Sequence, residues 1–121
     1  MEYLKGIYTT EGGKPVSPKV AYEGARAGLE LVYSVFEAGG FAKPDFTDAN
    51  KLHTMSYQLM TNVIGEETAT KVLTELREDS PLSPHLEKLN ETQEALVEHH
   101  ALLYHAMKTV PADQITKALY V

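Results

Sequence analysis

The side chains with the clearest capacity for chemistry crowd into one stretch: Glu91, Glu94, Glu98, His99, His100 and His105. Imidazoles and carboxylates at this density suggest a metal centre or a proton-transfer site. Helical spacing argues against convergence, because ligands on one helix must sit three or four residues apart for their donor atoms to meet. His100 and His105 are five apart, about 140° around a helix axis, and His99 and His105 are about 120° apart. No HxxxH or ExxH pattern occurs. A metal site would have to gather His53, His99, His100 and His105 from more than one helix. Glu91, Glu98 and His105 share a face that the pattern turns toward water.

Other catalytic signatures are missing. Ser17, Ser34, Ser56, Ser80 and Ser83 stand in no GxSxG turn. Gly12-Gly13-Lys14-Pro15 lacks the spaced first glycine and the following Ser or Thr of a phosphate loop. The absence of cysteine removes disulfides, thiol catalysis and sulfur-ligated zinc. The expectation is a protein that is not an enzyme and carries no cofactor.

The elements that would hold these residues are helices. Ser17 and Pro18 are an N-cap and a first helical residue, and Gly39-Gly40 ends the helix they start. Ala21, Ala25, Gly28, Leu29, Val32, Val35 and Phe36 make its apolar face. The first half of that face carries little bulk (Ala21, Gly24, Ala25, Ala27, Gly28), so another helix or the N-terminal arm should approach closely. Thr47 or Asp48 caps a second helix with a stripe of Leu52, Met55, Leu59, Met60 and Val63, stopped by Gly65. A third runs over Glu66–Glu78 with Ala69, Val72, Leu73 and Leu76 inward. Pro81 and Pro84 break the chain after it.

A long final helix is expected from Ser83 as cap and Pro84 to about residue 109, roughly 38 Å at 1.5 Å per residue. In heptads, Leu86, Gln93, His100 and Met107 take a positions and Leu89, Leu96, Leu103 and Val110 take d. Something must cover that seam. Asn90-Glu91-Thr92 matches a glycosylation sequon and reads as accidental inside this pattern. A short helix over residues 112–120, with Ile115 and Leu119 inward, closes the chain. Tyr3, Ile7 and Tyr8 before Gly12-Gly13 suggest a hairpin or extended arm over residues 1–16. The predicted fold is therefore all-α: one domain, a small bundle of four main helices over residues 17–121, plus that arm.

Composition fits. The chain has 121 residues, 43% hydrophobic and 23% charged, within the ordinary range for one globular domain. Its net charge of −6 disfavours a nucleic-acid binder, which needs cations to displace counterions. No secretion signal or membrane-length apolar run is present, so a cytoplasmic protein is expected. Residues 66–98 hold nine acids and three bases. Glu67, Glu75, Glu78, Glu87, Glu91 and Glu94 are the surface expected to meet a basic partner.

Protein–protein interaction is the function these features favour: a small adaptor, regulator or assembly factor that forms a homodimer. Leu89, Gln93, Leu96, His100, Leu103 and Met107 are the residues expected to self-associate. Gln93 and His100 would meet their symmetry mates or find a hydroxyl at home, Tyr57 or Tyr33 for the histidine. In the first case protonating His100 loosens the contact. The alternatives are a metal- or small-molecule-binding helical protein and an acidic inhibitor mimicking nucleic acid.

Overall fold

The computed structural model describes residues 17–120, so the expected arm over residues 1–16 lies outside the described residues. Five α-helices pack together, and no strand occurs among the described residues. Helix α1 spans Pro18–Ala38, with Ser17 Oγ accepting from the Val20 N–H at 3.2 Å. Its last turn closes through Phe41 N–H to the Phe36 carbonyl at 3.1 Å, around Gly40 at φ 99°. Helix α2 spans Ala49–Leu59 behind Asp48, whose Oδ1 accepts from Lys51 N–H at 3.1 Å. Its stripe continues into a π-helical turn, Met60–Ile64, which Gly65 ends at φ 86°. That left-handed position is one an L side chain resists. Gly65→Ala is expected to lower the unfolding free energy by about 1 kcal/mol, read by denaturant titration.

Helix α3 spans Glu66–Glu78, as the spacing predicts, and buries Ala69, Val72 and Leu76. The helix expected to start at Ser83 does not. Ser83 serves the end of α3 instead: its hydroxyl and that of Ser80 both donate to the Leu76 carbonyl, at 3.0 and 2.8 Å. Residues Ser83–Lys88 form a 3-10 turn, and Leu89 is extended. Helix α4 begins afresh at Glu91–Thr109. Asn90 Oδ1 accepts from Gln93 N–H at 2.8 Å, and Gln93 Oε1 accepts from Asn90 N–H at 3.0 Å. Gln93 is thus half of a capping box rather than a seam residue. At 19 residues, α4 is about 28 Å long.

Helix α4 is the spine of the bundle. It packs against α1, α2 and α3, and Ala95, Leu96, Val97, His99, Ala101, Leu102, Leu103 and Ala106 are all buried. Helix α5, Ala112–Leu119, turns back onto α2 with Ile115 and Leu119 inward. The Tyr120 hydroxyl donates to the Ala42 carbonyl at 2.7 Å and ties the end of α5 to the α1–α2 loop. No helix among the described residues is long and apolar enough to cross a membrane.

Candidate functional site

The histidines are not brought together. His99 lies in the core at 0% exposure, with Nε2 hydrogen-bonded to the Tyr33 hydroxyl at 2.7 Å and Nδ1 to the Ser56 hydroxyl at 3.0 Å. The tyrosine expected to serve His100 therefore serves His99, and Tyr57 is exposed. Tyr33 and His99 stack with ring centres 5.9 Å apart, and Phe36 and Phe46 pack around the same phenol ring. Three helices meet at this knot: Tyr33 comes from α1, Ser56 from α2 and His99 from α4.

Burial sets its electrostatics. Removal from water, with a smaller contribution from His100, drives the His99 pKa down to about 3. Burial, with Tyr120 second, pushes the Tyr33 hydroxyl well above its usual range, so it stays protonated. A serine beside a histidine invites a nucleophile reading. An imidazole with a pKa near 3, held on both nitrogens inside a core, is a poor acceptor for that serine's proton. The knot is a satisfied polar cluster that aligns three helices.

The remaining metal candidates are scattered. His53 is exposed and borders a depression with Arg77, Glu91, Glu94, Ala95 and Glu98. Arg77 and Glu98 form an ion pair between α3 and α4, so Glu98 is turned into a contact and not simply out to water. Among the described residues, no group of three or more histidine, aspartate or glutamate side chains could hold a metal ion. The acidic surface is also divided. Glu67, Glu78, Glu87 and Glu91 are exposed and Glu94 is half-buried. Glu75 is buried on the inner side of α3, a correction to its placement on the surface.

The six residues expected to self-associate separate in the same way. Leu89, Leu96 and Leu103 are buried in the chain's own core, so they offer no surface to another copy. Gln93 is spent in the cap. His100 and Met107 reach an outward feature, an apolar cleft of about 290 Å³ between α1 and α4, with the buried Leu103 at its floor. Gly28, Leu31, Val32, Tyr104 and Lys108 lie on its rim, with the Lys108 ammonium 4.6 Å from the Tyr104 ring centre. Burial drives the His100 pKa down to about 4, far below the range in which its protonation was expected to tune an interface.

Two glycines of α1 differ sharply here. A Cβ on Gly28 would stand 3.0 Å from His100 Nε2, so Gly28 is the gap that lets α4 close on α1. A Cβ on Gly24 would meet nothing within 4 Å. An interior helical glycine costs about 1 kcal/mol relative to alanine. Gly28 has its reason inside the bundle; Gly24 has none there.

The signal missed in the sequence surrounds Gly24. On a helical projection, Lys19, Glu23, Arg26, Glu30, Ser34 and Glu37 share one narrow arc, leaving about 240° of α1 apolar. The core covers Ala21, Ala25, Leu29, Tyr33 and Phe36. Val20, Leu31 and Val35 remain 50%, 71% and 66% exposed, and Gly24, Ala27 and Ala38 lie exposed among them. Val35, expected on the inner face, belongs to this outer stripe. Comparison with protein-family models, curated proteins and solved structures finds no match for the chain.

Proposed function

We propose that this chain is a non-enzymatic protein–protein interaction protein that self-associates through the outer stripe of α1 and the adjoining α1–α4 cleft. One observation carries this: α1 is apolar over far more of its surface than its own fold covers. Val20, Leu31 and Val35 on α1 and Met107 on α4 are four of the five large exposed hydrophobic side chains among the described residues. Contiguous exposed apolar surface of this kind marks interaction sites. The self-association expected for the final helix thereby moves to α1, since α4 is covered at home.

The cleft also suits a small apolar ligand, the second reading. Its volume falls at the lower edge of ligand pockets, roughly 300–1,000 Å³, and its wall is the exposed Leu31 and Met107. A side chain from another protein surface fits that shape better than an enclosed ligand. Light scattering over a wide concentration range tests the leading reading. A mass rising from one copy to two supports it, and a strict monomer at the highest concentration contradicts it.

A further inference from the structure

We infer that two copies pair through α1 in antiparallel fashion about a two-fold axis near Ala27, with Leu31 of each copy seated over Gly24 of the other. The inference rests on the self-association proposed above and supplies its geometry. The stripe alternates in bulk along the helix: Val20, then Gly24 and Ala27, then Leu31 and Val35. In antiparallel register, the bulky end of one helix lies against the small-residue stretch of the other, and Val20 lies across from Val35. Gly24 then has its reason, because its open side is where the second Leu31 enters. The two-fold closes the contact, so each copy uses the same patch and no filament follows.

Charge fixes the direction. The polar arc of α1 borders one side of the stripe, carrying Lys19, Glu23 and Arg26 in its first half, a net positive charge, and Glu30, Ser34 and Glu37 in its second, a net negative one. A two-fold perpendicular to the helices brings this arc against its own copy, with the order reversed. Lys19 then faces Glu37 of the second copy, and Arg26 faces Glu30. A parallel pairing would set the arc against the cleft side instead and leave these charges unmatched. Arg26 already lies 3.5 Å from Glu30 along its own helix, so the two pairs merge into one rim network. Such complementarity sets direction more than affinity.

The chain has no cysteine, so single-cysteine variants report this geometry cleanly. A disulfide needs Cα atoms about 4.4–6.8 Å apart. Ala27→Cys should oxidise readily to a covalent dimer. Val20→Cys should not, since antiparallel register holds the two copies of that position about 22 Å apart. Leu31→Glu and Gly24→Gln alter exposed positions, keep the helical circular dichroism, and should each weaken the dimer at least about tenfold. A dimer that cross-links through position 20 in preference to 27 overturns the antiparallel arrangement and leaves self-association intact. A dimer indifferent to both the cysteines and Leu31→Glu places the interface away from α1. A monomer under all conditions overturns the inference and the proposed function together, and leaves the stripe to residues 1–16 or to a different protein.

Discussion

Lowering the pH from about 7 to about 5 should lower the unfolding free energy by about 3–4 kcal/mol, before the carboxylates begin to titrate. The cause is the pair of histidines on α4. His99 and His100 are held neutral in the fold, with pKa values near 3 and 4, against an ordinary value of 6.5 in the unfolded chain. Between those limits the unfolded chain binds protons that the folded one refuses. Stability is therefore complete above pH 6.5 and falls as the pH drops, by about 1.4 kcal/mol per unit for each histidine. His99 is faced by Tyr33 on α1, Ser56 on α2 and His100 on its own helix, and no carboxylate hydrogen-bonds to it. His105, lowered by burial and Lys108, is half-buried and adds little. Denaturant midpoints at the two pH values check this, and His100→Gln should remove part of the slope. A flat profile would show that the imidazoles are hydrated in the native state.

Leu96→Ala should cost 2–5 kcal/mol, roughly what deleting a fully buried leucine from a packed core removes. Leu96 is wholly buried on α4, the helix that α1, α2 and α3 enclose. Leu31→Glu, at a position 71% exposed, should shift the stability of one copy by under about 0.5 kcal/mol. Thermal or urea unfolding at low concentration separates the two. The contrast distinguishes a leucine that builds the fold from one that the fold leaves outside. Equal costs would mean that α4 is covered by a second copy and not by its own bundle.

Much of the architecture was legible because helix ends are local chemistry. Ser17-Pro18, Gly39-Gly40, Asp48 and Gly65 each act through atoms within a turn of themselves. The break before α4 was also written in the chain, as Asn90-x-x-Gln93, an amide at the cap and an amide three residues on. The heptad spacing hid it, since Leu86 and Leu89 reach the core as well from a 3-10 turn and an extended residue as from a continuous helix.

The site was harder to read for two reasons. In the heptad frame, the d residues Leu96 and Leu103 do face the core, but the residues beside them are His99 and Ala106, not His100 and Met107. Leu96, His99, Leu103 and Ala106 are an equally regular seam. A small residue and a polar one conceal it, whereas Met107 draws attention one position away. His99 is buried because Tyr33 and Ser56, distant in sequence, satisfy both its nitrogens, and no local pattern announces that. On α1, the regular spacing of one apolar face hides a second: that pattern turns Val35 inward and gives Leu31 no side.

Amide chemical shifts followed by NMR from micromolar to millimolar concentration test the central claim most directly, that α4 is covered within one copy while α1 offers its outer side to another. Shifts that move with concentration should centre on Val20, Gly24, Ala27, Leu31 and Val35, with Met107 at the margin, while Leu96, His99 and Leu102 stay still. Movement centred on the α4 core residues, or none anywhere in that range, would contradict the account.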